Sequence, residues 1–77
     1  MTEYREKMWR QTANGQNAIT LEQGDHNLWR YVEWRWSDPY PENPSIDPAW
    51  SPTYWSGLYE SEAEANRDAQ AALDRLG

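Results

Sequence analysis

Apolar and polar positions alternate with a period of two through much of the first half of the chain. In residues 18–23, Ile19 and Leu21 share one face. In residues 28–36, Val32, Trp34 and Trp36 alternate with Glu33 and Arg35, which makes one side apolar and the other charged. Trp29 and Tyr31 fall on the second side of that strand. Either a bulge shifts its register or the sheet carries aromatics on both faces. A weaker alternation runs through residues 4–13. Asn14-Gly15 lies between the first two runs and predicts a tight type I′ hairpin turn, whose central residues need positive φ. Gly24-Asp25-His26-Asn27 marks a second turn.

All five prolines fall in residues 37–53, where they exclude a central strand and a helix interior. This predicts a long, stiff loop, of the kind that is usually functional or disordered. Residues 54–59 return to strand, with Gly57 as a bulge or close approach. The period then changes to that of a helix. Ser61-Glu62-Ala63-Glu64 has the form of a capping box, and Ala65, Ala69, Ala72, Leu73 and Leu76 make a thin apolar stripe across residues 62–76. So small a stripe lets the helix approach a sheet closely, with Trp34 and Trp36 expected to fill the gap beneath it. The pattern predicts an α+β domain over residues 1–77. Its sheet has three or four antiparallel strands (4–13, 18–23, 28–36 and 54–59), and one C-terminal helix packs on a single face.

Composition changes this picture in one respect. The 77 residues hold six tryptophans and five tyrosines but no phenylalanine. Trp and Tyr join a large apolar body to one polar handle, which suits surfaces that are half wet. Trp34 and Trp36 are expected to be structural, and two or three of Trp9, Trp29, Trp50 and Trp55 to be partly exposed. Without cysteine, neither disulfides nor thiolate chemistry is available. The charged start, Met1 to Lys7, lacks the apolar stretch of a signal peptide, and no run approaches a membrane span. A cytoplasmic protein is expected.

Charge is divided unevenly. The five bases and five acids of residues 1–36 cancel, whereas residues 37–77 hold two bases against eight acids. The whole net charge of −6 therefore sits in the second half. That half attracts a basic partner and repels nucleic acid, although net charge also serves solubility.

Candidate chemistry is sparse. His26 is the only histidine and has scattered serines but no aligned nucleophile. Glu60, Glu62, Glu64 and Asp68 cluster, but they flank a capped helix start, where acids suit the dipole. No metal-ligand spacing is present and no cofactor is implied. A binding protein is expected, not an enzyme. Stacked indoles could hold a sugar ring or a peptide, or form a subunit or homodimer interface. Single-stranded nucleic acid would need a basic groove as well. Alternatively, carboxylates along the loop and helix could imitate phosphates. Glu64 and Asp68 share a helix face at i, i+4, and Asp38, Glu42 and Asp47 recur along the loop.

In size, lack of cysteine, acidity, and a sheet followed by the tail from Ser61 to Leu73, the chain resembles the small inhibitors encoded by phages and mobile elements, including anti-CRISPR proteins. The resemblance implies a stoichiometric protein that blocks a host nuclease or its nucleic-acid surface. The candidate partner-binding residues are Asp38, Tyr40, Glu42, Asp47, Trp50, Glu64 and Asp68, facing a protein partner with a basic surface. Neither direct nucleic-acid binding nor a membrane is expected.

Overall fold

The computed structural model describes residues 3–39 and 41–77. Strands β1 (Arg5–Gln11), β2 (Asn17–Gln23), β3 (Trp29–Ser37) and β4 (Ala49–Trp55) form one antiparallel sheet in the order β1-β2-β3-β4. A 3-10 turn, Asp25–Asn27, joins β2 to β3, and helix α1 (Glu62–Leu76) closes the chain. The extents of 44 × 30 × 16 Å fit two layers, a sheet and one helix.

The β1–β2 hairpin is built differently from the type I′ expectation. Gly15 alone has positive φ, at 71°, and Asn14 does not. The Gly15 amide donates to the Thr12 carbonyl at 3.0 Å, and Thr12 and Asn17 close a four-residue loop. The Asn14 side chain accepts from the Gln16 amide at 2.9 Å, so asparagine closes a turn through its side chain.

Helix α1 packs on β2 and β3. Its Ala65, Ala69 and Ala72 are buried against Ile19, Leu21, Trp29 and Tyr31, with Leu73 and Leu76 packed at the margin. The side chains on the sheet are large and those on the helix small, so the layers can approach closely. The Ser61 hydroxyl accepts from the Glu64 amide at 3.2 Å, which caps the helix. Three polar contacts hold the helix at its sides. Arg10 Nη1 donates to Gln70 Oε1 at 2.7 Å, the Tyr59 hydroxyl donates to Asp68 Oδ2 at 2.7 Å, and Arg75 pairs with Glu33 at 2.7 Å.

Two expectations are corrected. The aromatics beneath the helix are Trp29 and Tyr31; Trp34 and Trp36 point to the other side of the sheet. Both faces of β3 are aromatic, and only packing determines which one the helix covers. The fourth strand spans Ala49–Trp55 rather than 54–59, so the irregular loop shortens to 38–48. Pro52 is tolerated because β4 is an edge strand. It lies opposite Trp34, and the nearby Trp36 sends its amide towards Gln16 on the β2 side. The proline nitrogen of the matching position on β4 therefore faces outward, where no ladder bond is lost. Beyond Trp55 pairing continues as isolated bonds, Ser56 to Tyr31 and a Trp29–Tyr59 bridge. The irregularity in this strand sits at Thr53, not at Gly57.

Candidate functional site

Cross-strand partners share a face of a sheet, so the register assigns every side chain to a layer. The face opposite the helix takes Trp9 and Gln11 from β1, Ala18, Thr20 and Glu22 from β2, and Arg30, Val32, Trp34 and Trp36 from β3. From β4 it takes Trp50, opposite Trp36, and Trp55, opposite Val32. Five of the six tryptophans thus occupy one face that no other element covers.

Two bulges produce this arrangement. In β1, Glu6 pairs with Glu22 and Met8 with Leu21, leaving Lys7 unpaired. The shift sends Met8 to the helix layer and Trp9 to the open face. In β4, Tyr54 pairs with Glu33 and Pro52 with Trp34, leaving Thr53 unpaired. An extra residue reverses the alternation that follows it. Trp50 and Trp55, an odd number of residues apart, consequently point the same way.

Small residues form the floor of the face. Ala18, Thr20 and Val32 are wholly buried beneath the indoles. Trp34 Nε1 donates to Thr20 Oγ1 at 2.9 Å, which satisfies the buried hydroxyl and fixes the ring. Trp50 is the hub. Its ring meets Trp9 edge-on at 5.1 Å and Trp36 at 5.4 Å, while Trp9 leans on Trp34 at 6.2 Å. Each such pair contributes about 0.5–1.5 kcal/mol beyond area burial. The rings remain partly wet: Trp9 is 37% exposed and Trp55 52% exposed. At one end of the face Arg30 pairs with Glu22 at 2.8 Å and lies 3.5 Å over the Tyr4 ring. The opposite end, at Trp36 and Trp50, adjoins the acidic β3–β4 loop.

This geometry discriminates between ligands. Interplanar angles of 47–83° keep the four clustered indoles from forming one continuous flat platform. Arg30, at one end of the face, is already paired with Glu22, so it offers no free base to a nucleic-acid strand. The sheet edges are poor templates for an added strand, because β1 carries a bulge and several charges and β4 carries Pro52. What remains is an apolar, irregular surface of the kind that protein interfaces use.

The sequence-derived residues divide between the two sides of the sheet. Trp50 is at the centre of the open face. Asp38, Glu42 and Asp47 are exposed in the loop that enters β4 beside it. That loop is shaped by the Asn43 amide donating to the Pro39 carbonyl at 2.9 Å and Ile46 to Asn43 at 3.1 Å. Tyr40 lies outside the described residues. Glu64 and Asp68 ride on the helix, in the other layer, so they cannot join Trp50 in one contact patch. Asp68 is also engaged internally: the Tyr59 hydroxyl and Arg67 hold its carboxyl below the usual carboxylate range. Burial, and then this hydrogen bond, push the Tyr59 phenol up to about 12. His26 is exposed in the 3-10 turn with φ 62°. Among the described residues, no group of three or more His, Cys, Asp or Glu is placed to hold a metal ion, and no helix is long and apolar enough to cross a membrane. Sequence reasoning passed over Trp34 and Trp36 as site residues because it expected them beneath the helix, and Trp9 because its place on the open face depends on the bulge in β1.

No family model matches the chain, and comparison with curated proteins and with solved structures found no match.

Proposed function

We propose that this protein is a small binding module, not a catalyst, that presents its tryptophan face to a protein partner and acts by occlusion. The single observation that carries this reading is the uncovered sheet face, on which Trp9, Trp34, Trp36, Trp50 and Trp55 sit without a second layer. A chain of this size normally buries its aromatics; a surface that leaves several half wet is suited to burying them on association. The acidic loop at one end of the face favours a partner with a basic rim. The helix acids, on the far side, add to the long-range field that steers encounter without touching the partner. A basic surface that normally holds nucleic acid matches this pairing of apolar centre and acidic edge. The reading is therefore a cytoplasmic inhibitor of a host nuclease complex, of the type encoded by phages and mobile elements.

The test is capture of the partner from host lysate on the immobilised protein, identification by mass, and measurement of binding rates. The expected result is a partner lost with Trp9→Ala/Trp50→Ala but kept with Glu64→Lys, and association that slows as salt rises. Retention of the same partner by the double tryptophan variant would refute the role of this face.

A further inference from the structure

At the loop end of the tryptophan face lies a notch of about 330 Å³ lined by Gln11, Asn14, Gly15, Gln16, Trp36 and Trp50. This is the small end of the range of about 300–1,000 Å³ for ligand pockets. Resting on the function proposed above, we infer that the notch receives an arginine side chain of the protein partner.

Three features specify a guanidinium. Indole walls attract cations through the ring quadrupole, and a planar guanidinium also stacks on them. Gln11 and Gln16 reach the open side, and neither side-chain amide makes a hydrogen bond within the described residues. Their carbonyl oxygens are acceptors for in-plane N–H donors. Asn14 differs, since its Oδ1 already accepts from Thr12 and from the Gln16 amide. The space beside Gly15 is open: a Cβ built on it meets nothing within 4 Å.

Charge selects the same ligand. Residues 36–66 hold six acids (Asp38, Glu42, Asp47, Glu60, Glu62 and Glu64) and no Lys or Arg. Trp36 and Trp50 bound the first part of that stretch, so the notch opens into the field of the loop acids. Arg35 stands at the same strand end but belongs to the helix-side face, and it shares a neighbouring groove with Asp38. An ammonium group is attracted by the same field, but it is a compact, strongly hydrated charge that cannot stack or donate in one plane. A neutral ligand gains nothing from the acids.

The test uses short acetylated peptides of glycine and serine carrying one arginine, lysine or citrulline, titrated into the whole protein. Indole Nε1–H resonances report position, with Trp29 and Trp55 as internal controls. The arginine peptide should shift Trp36 and Trp50 and leave Trp29 and Trp55 in place. Lysine should bind more weakly by about tenfold, equivalent to about 1.4 kcal/mol, and citrulline should bind less still. Gln11→Ala/Gln16→Ala alters exposed side chains and leaves the tryptophan cluster folded. It should weaken the arginine peptide and spare lysine, a result that loss of folding could not produce. Equal binding of citrulline and arginine overturns the inference, as does a shift confined to Trp55. The two readings can fail separately. A captured partner that needs Trp9 and Trp50 but tolerates loss of every interfacial arginine keeps the face and removes the notch. Peptide selectivity without any partner that needs the face does the reverse.

Discussion

Trp50 and Trp55 sit on the same face of the sheet although their positions differ by an odd number, because Thr53 is an unpaired extra residue between them. This bulge brings Trp55 onto the surface that Trp50 shares with Trp36. Deleting Thr53 restores the plain alternation and should rotate either Trp50 or Trp55 to the helix side. The expected outcome is a lower melting midpoint and altered indole Nε1–H resonances, checked by differential scanning and by two-dimensional NMR.

The indoles should differ in what they contribute to stability. Trp50 touches both Trp9 and Trp36, so Trp50→Ala loses two ring contacts and some area, a cost of about 1–3 kcal/mol. Trp55 is half exposed, and Trp55→Ala should cost less than about 1 kcal/mol. Urea denaturation of the two variants measures the contrast. Equal losses would show that the cluster is not held by Trp50.

Helix docking should be sensitive to volume in both directions. Ala69 is buried against Ile19 and Tyr31, so Ala69→Leu should cost about 1–3 kcal/mol by overpacking. Leu73 packs at the margin of the same cluster and is only half buried. Leu73→Ala should therefore fall near the low end of the range of about 2–5 kcal/mol. An unchanged denaturation midpoint in either variant would mean that this stripe does not face the sheet.

The ion pair of Arg75 with Glu33 joins an exposed guanidinium to a carboxylate whose side chain is 8% exposed. Arg75→Met strands that carboxylate in the sheet layer and should cost about 1–3 kcal/mol. Adding Glu33→Leu should recover part of the loss, since the apolar replacement needs no partner. A double-variant cycle measures the coupling, and additivity would mean that the pair is inert.

Stability should decline at both ends of the pH scale through Tyr59 and Asp68. The Tyr59 phenol is raised in the folded state to about 12 from 10.0, by burial and by Asp68. Its contribution is complete below pH 10 and is lost as pH rises towards 12. Asp68 is lowered below 3.8 by Tyr59 and Arg67, so its contribution is present above that value and lost as pH falls through the folded pKa. Tyr59→Phe should flatten the acid limb and reduce the alkaline one. The remaining alkaline loss belongs to Tyr31, also raised by burial. Melting midpoints across the pH scale check this, and limbs unaltered by the substitution would refute it.

Local signals carried the helix and most of the sheet. Ser61 caps α1 because a hydroxyl at that position meets the free amides of the first turn, and the spacing of Ala65, Ala69 and Ala72 fixes the buried stripe. The alternation in β2 and β3 is likewise a property of neighbouring residues, so both runs were readable as strands. Proline concealed β4, because its prohibition applies to paired nitrogens and Pro52 turns its nitrogen away from β3.

The sequence alone placed aromatics at both parities of β3, which left either a bulge or two aromatic faces, and it could not determine which side the helix would cover. That choice depends on residues brought together from three elements. Ile19 and Leu21 of β2 sit in register beside Tyr31 and Trp29 of β3, and together they match the alanine stripe of α1. The opposite face was decided by the unpaired Lys7 and Thr53, whose bulges exist only once strands pair. A change of register by one residue reverses every side chain beyond it, and register is set by contacts between distant segments. The tertiary structure therefore placed the tryptophans on one surface, a result that no local pattern encodes.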